Sequence, residues 1–241
     1  MSSLKTSYEN LNGNYQYSCE IAGENSFTFY FRLAKKVLDK DSDGNIISFV
    51  AAISHEVQLK MMDIVINVIP SYQTLFVVFD PNKISFSQCL ALVENIILQF
   101  DAALNDKSND KLKSADKPSI KILELPVYYD ESVGIDLARI AKHAKLSIAE
   151  VINLHQELTY QVNAIGFAPG FVYMGDVNSK IAMPRLASPR LTVPKGAVAI
   201  AENQTAVYPA QSPGGWNIIG RCPISLFDPS NTPAMPLSVG D

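Results

Sequence analysis

A chain of 241 residues with 47% hydrophobic and 18% charged residues holds enough apolar material to fill one large or two modest cores, which excludes a disordered protein. A formal net charge of −4 argues against a dedicated nucleic-acid binder, which needs a surplus of Lys and Arg to displace counterions from phosphates. No apolar run approaches the roughly 18 residues that cross a bilayer, and the polar start Met1–Ser18 lacks the apolar segment of a secretory signal.

In chain order, residues 1–20 read as an N-terminal extension and residues 21–104 as an α+β domain. Phe27, Phe29 and Phe31 alternate with Thr28 and Tyr30, which predicts a strand over Ser26–Leu33. A helix should follow the Asp41–Gly44 turn, with Asn45 as its cap and Ile46, Val50, Ile53 and Val57 on one face. Ile64–Ile69 and Thr74–Phe79 are β-branched and aromatic runs on either side of Pro70–Gln73, a hairpin signature. Ser85 and Gln88 form a capping box that opens a helix carrying Phe86, Leu90, Val93, Ile97 and Phe100 on one face. Strand, helix, two strands and helix make a small sandwich with helices on one face of a sheet.

Residues 105–118 are dominated by Asp, Lys, Ser and Asn and read as a charged linker, leaving 119–241 as a second domain. That domain should open with a strand around Ile120–Tyr128. Asp136 can cap a short helix with Leu137, Ile140, Ala141 and Ala144 inward, and Ser147 and Glu150 form a second capping box ahead of Val151 and Leu154. From Tyr160 onward lie 10 of the 14 prolines and 8 of the 12 glycines, set between short apolar runs such as Ala197–Ala201. That density forbids long helices and predicts short strands joined by tight turns, an all-β barrel or sandwich.

The familiar signatures of chemistry are missing. There is no phosphate-binding P-loop, no dinucleotide glycine fingerprint, no nucleophile elbow and no zinc-protease motif. The cysteines Cys19, Cys89 and Cys222 are far apart without a CxxC, the pattern of reduced core thiols in a cytoplasmic protein. His55, His143 and His155 have no metal-ligand spacing, so no metal site is expected; His155 stands apart only because it ends a helix just before the most distinctive segment. In that segment Pro184-Arg185, Pro189-Arg190 and Pro194-Lys195-Gly196 recur at near-regular spacing, and Arg221 follows. Rigid Pro-Arg turns can aim guanidinium forks at a carboxylate or phosphate. Equally, these can be ordinary tight turns whose arginines pair with Asp176, Glu202 or Asp228.

Gly166-Phe-x-Pro-Gly-Phe-x-Tyr173, the Pro-Arg series and Tyr208-Pro-x-x-Ser-Pro-Gly-Gly-Trp-x-x-Ile-Gly-Arg221 closely resemble a known family. Its members are the first subunit of allophanate hydrolase, the B-type subunit of 5-oxoprolinase and the Kip-type kinase inhibitor, and its shared module is carboxyltransferase subdomain C/D. Leu125–Tyr129, Asp136-Leu137 and Leu154-His155 fit it too. The resemblance implies an α+β protein with an N-terminal ferredoxin-like α/β sandwich and a C-terminal cyclophilin-like β-barrel. It implies a component of an ATP-dependent 5-oxoprolinase, inactive alone, with ATP and Mg2+ as co-substrate of the complex. One partner would be a larger barrel protein, of the C-type 5-oxoprolinase or second allophanate hydrolase kind. The other would be a LamB/YcsF-like protein, and a homo-oligomer is a further option. A histidine-kinase inhibitor and an allophanate or urea-type amidolyase component are the alternatives. Candidates for catalysis are Arg185, Arg190, Lys195, Arg221 and His155. Candidates for substrate binding are Gly166, Phe167, Pro169, Gly170, Phe171, Tyr173, Tyr208, Ser212, Pro213, Gly214, Gly215 and Trp216. Family members normally continue past a Gly-Asp like Gly240-Asp241 into one more strand. That predicts a truncated chain, or an edge covered by a partner or a second copy.

Overall fold

A computed structural model describes residues 9–11, 15–34, 43–105 and 121–241. The chain divides into two compact units between residues 120 and 121. The linker expected at 105–118 lies outside the described residues except for Asn105, as does most of the segment before Tyr15.

The first unit is built on an antiparallel sheet in the order β1-β2-β3-β5-β4, made from β1 (Glu9–Asn10), β2 (Tyr15–Gly23), β3 (Ser26–Leu33), β4 (Val65–Ser71) and β5 (Thr74–Phe79). The strand β2 pairs with β3 from Tyr15 onward, so the sheet takes in the last residues of the expected extension. Helix α1 (Asp43–Lys60) connects β3 to the parallel β4, and β5 inserts between them, a split β-α-β unit. Helix α2 (Phe86–Asn105) follows. Period-2 alternation buries Phe27, Phe29 and Phe31 on one face of β3. Phe27 meets Phe86 of α2 edge-on at 5.6 Å, and Phe31 meets Phe49 of α1 at the same distance, so both helices cover that one face. Ile46, Val50, Ile53 and Val57 are buried as their spacing requires. The Ser85 capping box forms, with each partner's backbone N–H bonded to the other's side chain.

Two local expectations change. The helix α1 starts two residues ahead of Asn45, which therefore lies in the first turn rather than at the cap. The hairpin turn shrinks to Tyr72-Gln73, because Pro70 and Ser71 stay in β4 opposite Leu75 and Thr74.

The second unit contains two short helices, α3 (Leu137–Ala144) and α4 (Ile148–Gln156), followed by strands. These are β6 (Gln161–Ile165), β7 (Val172–Gly175), β8 (Arg190–Val193), β9 (Ala197–Ala201), β10 (Gln204–Val207), β11 (Ser212–Gly214) and β12 (Asn217–Arg221). Antiparallel pairing gives one sheet in the order β6-β7-β10-β9-β12 and a separate β11-β8 ribbon. All five residues of β9 are buried, as expected of a central strand. Leu137, Ile140 and Val151 from the helices join Val162, Val172, Ile200 and Ile219 in the main core.

The strand expected over Ile120–Tyr128 does not form. Leu123, Leu125, Val127 and Tyr129 do alternate inward onto the core. Alternation selects a face, however, and a strand also needs a neighbouring ladder. The only pairing along 121–128 is a single bridge from Tyr128 to Arg221, and Pro126 has no N–H to extend it.

The α3–α4 corner is closed by two local devices. Lys145 takes the left-handed conformation at φ 57°, and the N–H of Leu146 returns to the carbonyl of Ala141. Ser147 and Glu150 then cap each other reciprocally. Ser147→Ala is expected to cost about 1 kcal/mol of stability. Lys145→Gly, which relieves a left-handed side-chain penalty, is expected to gain about 0.5–1 kcal/mol. Urea unfolding midpoints moving in opposite directions would confirm both assignments.

Candidate functional site

The two longest motifs of the sequence meet in space. Ala168–Phe171 forms a turn closed by the Phe171 N–H on the Ala168 carbonyl, with Pro169 second and Gly170 third at φ 84°. This is the residue placement of a type II turn, and a Cβ at Gly170 would lie 2.4 Å from Phe227. The turn sends Phe171 inward and leaves Phe167 largely exposed at φ 69°. Phe171 then packs edge-on against Tyr208 at 5.2 Å and Trp216 at 5.7 Å, while Tyr173 lies 5.9 Å from Trp216. Tyr208 and Trp216 belong to the second motif, so together the motifs build one aromatic cluster over Ala197, Ala199 and Ala201.

Glycine at 214 has a specific cause. A Cβ there would sit 2.3 Å from the Tyr208 hydroxyl. Burial pushes the Tyr208 phenol up, opposed by the backbone N–H of Trp216 and by Arg185 and Arg190. The phenol is therefore neutral and fixed between Gly214, Trp216 and two cations. Ser212 and Pro213 lie on β11, while Gly215 has room for a side chain, its nearest neighbours standing 3.7 Å away.

The Pro-Arg turns divide. Arg190 donates from Nη2 to Asp136 Oδ1 at 2.8 Å and from Nη1 to the Trp216 carbonyl at 3.3 Å. Its acid is thus Asp136, none of Asp176, Glu202 and Asp228. Asp136 also does not cap α3 with its side chain, as its position suggested. Its second carboxylate oxygen accepts the Ile218 N–H at 2.7 Å, and its own N–H donates to the Ile218 carbonyl. A buried carboxylate gains more from an arginine and a strand amide than from an exposed helix end. Arg185 is exposed, with its guanidinium 5.8 Å over the Trp216 ring.

Lys195 and Arg221 are elsewhere. Gly196 turns at φ 79° against the Cys222 carbonyl and the Arg221 side chain. Arg221 pairs with Ala197, whereas Asn217, next to Trp216, pairs with Ile200, so the two cation groups lie at opposite ends of the β9–β12 ladder. Lys195 interacts electrostatically with Asp228.

His155 is likewise apart from the arginines. Its Nδ1 meets the Tyr129 hydroxyl at 2.7 Å and its Nε2 meets Thr205 Oγ1 at 2.8 Å. Thr205 donates its own proton to the Ala199 carbonyl, which makes His155 the Nε2–H tautomer, accepting from Tyr129. Burial lowers the imidazole to about 4 and raises the Tyr129 phenol to about 12. Both ring nitrogens are committed, so the residue acts as a core strut.

Sequence reasoning missed Arg139 and Asn217. Asn217 is fully buried, accepts from Arg139 on Oδ1, and donates from Nδ2 to the Pro184 and Ile200 carbonyls at 3.0 Å each. Its place one residue after Trp216, inside the motif, was the available signal. Among the described residues no group of three or more His, Cys, Asp or Glu is placed to hold a metal ion. No helix among them is long and apolar enough to cross a membrane. Cys19, Cys89 and Cys222 are buried thiols, and burial raises the pKa of all three.

The buried His155 has a consequence for stability. An unfolded imidazole takes up a proton near 6.5 and the folded one only near 4, so the unfolded state binds more protons in between. The contribution is fully present above pH 6.5 and drains away as pH falls towards 4. Between pH 7.5 and 5.0 the loss is expected to be about 2 kcal/mol. Urea unfolding of His155→Gln should lack that increment while starting from a lower stability.

With this geometry in view, known proteins give a consistent match. The family described as carboxyltransferase domain, subdomain C and D, matches residues 18–237. The B-type subunit of 5-oxoprolinase from Bacillus subtilis (strain 168) is 38% identical over 178 residues, covering 73% of this chain and 72% of that protein. Its counterpart from Escherichia coli O157:H7, of the same name, is 44% identical over 125 residues, 52% of this chain and 57% of that one. Among solved structures, TTHA0988 superimposes with a TM-score of 0.69 at 28% identity, covering 90% of this chain and 38% of its own. The chain thus spans between about four tenths and seven tenths of these three proteins. With nearly its whole length matched by one family, the chain belongs to the carboxyltransferase domain family, subdomains C and D.

Proposed function

We propose that this chain is one component of an ATP-dependent 5-oxoprolinase, which opens the lactam of 5-oxoproline to glutamate. One observation carries the reading: the two longest motifs, separated by more than thirty residues, converge on a single patch of aromatic rings and arginines. Relatives at 38% and 44% identity that are named as the B-type subunit of 5-oxoprolinase support 5-oxoproline as the substrate in this reading. Their name also implies companion proteins. We assign these as a larger barrel protein and a LamB/YcsF-like protein, with ATP and Mg2+ used by the complex in the cytoplasm.

Finer architecture belongs to the same proposal. The split β-α-β order of β3, β5 and β4 supports a ferredoxin-like first unit. The short antiparallel strands of the second unit support a cyclophilin-like barrel.

The chemistry explains why such a patch is useful. An unstrained amide is a poor electrophile, and phosphoryl transfer from ATP to its oxygen would make the carbonyl carbon attackable by water. ADP leaves at that transfer; when the C–N bond of the ring breaks and the nitrogen takes a proton, an acyl phosphate remains, which a second water hydrolyses to glutamate and phosphate. Anionic species on that path need preorganised donors. Arg190, held by Asp136 and Trp216, supplies a fixed cation whose charge is already balanced. The neutral Tyr208 phenol is held beside it. The partners complete the remaining walls and the nucleotide site.

The test is co-purification with the two partner proteins followed by glutamate release from 5-oxoproline and ATP. Glutamate formed only with all three proteins is expected; a stable complex without turnover would point to another amide. Within an active complex, Gly214→Ala is expected to lower kcat/KM at least tenfold without preventing assembly, because its Cβ displaces the Tyr208 hydroxyl. Gly215→Ala, which meets no such contact, should retain most of the activity.

A further inference from the structure

The two arginines of the aromatic patch differ in what they have left to offer. Arg190 is already paired with Asp136 and bonded to the Trp216 carbonyl, so its charge is balanced. Arg185 is exposed, and no carboxylate among the described residues forms an ion pair with it. Its backbone is nevertheless fixed on both sides. The carbonyl of Pro184 accepts from buried Asn217, and the N–H of Leu186 donates to the Gly215 carbonyl at 2.7 Å. Asn217 is in turn held by Arg139. The guanidinium of this exposed residue lies 5.8 Å over the Trp216 ring, and its N–H groups form the fork that matches a carboxylate.

Building on the reading proposed above, we infer that Arg185 is the specificity-determining residue that takes the carboxylate of the cyclic-amide substrate, with the flat ring lying beside Tyr173 and Trp216. The half-buried Tyr173, backed by the buried Trp216 ring 5.9 Å away, gives the lactam an apolar side to rest on. The charge of Arg185 then selects ring acids over neutral lactams of the same size. A phosphate group would satisfy the same fork, so the experiment must separate a substrate carboxylate from a nucleotide phosphate.

Arg185→Gln and Arg185→Lys are compared with wild type in the three-protein complex, with 5-oxoproline and ATP varied in turn. A hydrogen-bonded charge pair of this kind corresponds to about a 10- to 100-fold effect. The expected result is that rise in KM for 5-oxoproline with R185Q, partial recovery with R185K, and an unchanged KM for ATP. A rise confined to the KM for ATP would overturn the inference in favour of phosphate binding. Unchanged KM values, or a fall in kcat alone, would also overturn it.

A second readout does not depend on turnover, because Trp216 is the chain's only tryptophan. Titration of the isolated chain with 5-oxoproline should change the Trp216 emission, 2-pyrrolidinone at equal concentration should not, and R185Q should abolish the response. If the wild-type complex never turns over, the proposed function fails, and this titration alone decides the role of Arg185. No response to 5-oxoproline, or an equal response to the neutral lactam, overturns it.

Discussion

A single buried carboxylate organises the candidate site. Asp136 stands at the start of α3, bonds to both the N–H and the carbonyl of Ile218 on β12, and holds the guanidinium of Arg190 at the head of β8. Three stretches that are distant in sequence are fixed to one another through this one residue. Arg190 passes the constraint on to the Trp216 carbonyl, and Trp216 anchors the aromatic cluster to which Phe171, Tyr173 and Tyr208 belong. The pair is costly to break from the arginine side, because Asp136 left alone is an uncompensated buried ion. Its value here is positional. It orients a cation beside the Tyr208 phenol without requiring that cation to have a free charge.

The neighbouring polar network repeats the pattern. Asn217 uses both ends of its amide to connect Arg139, Pro184 and Ile200, so the loop that carries Arg185 is tied to the same strand that Asp136 holds. The patch therefore combines one arginine locked by a carboxylate with one arginine locked only through its backbone. Lys195 and Arg221 sit at the other end of the β9–β12 ladder, where Gly196 turns against Cys222. Basic residues that look alike in a Pro-Arg series thus serve two ends of one unit.

Much of the fold was legible because it rests on local rules. The alternating phenylalanines of β3, the helical spacing in α1 and α2, and the Ser85 and Ser147 capping boxes all state their conformation within a few residues. The failures share a physical origin. Residues 121–127 have a strand's alternation, but whether a ladder forms depends on a neighbour far away in sequence. Asp136 has a cap's position, yet a half-buried arginine 54 residues away outcompetes the helix end. The motif glycines and aromatics pointed to the candidate site, whereas the sorting of its cations did not show in the sequence. Spacing reveals that arginines recur, and only tertiary packing decides which of them meets an acid.

The central claim, that Asp136 and Arg190 act as one coupled unit holding the site, is tested most directly by a double-mutant cycle in urea unfolding. Asp136→Asn, Arg190→Gln and the double variant would be compared with wild type. The expected coupling energy is about 2 kcal/mol or more, with the double variant little worse than either single one. Additive losses, with coupling under about 0.5 kcal/mol, would contradict it and leave Arg190 as an independent surface cation.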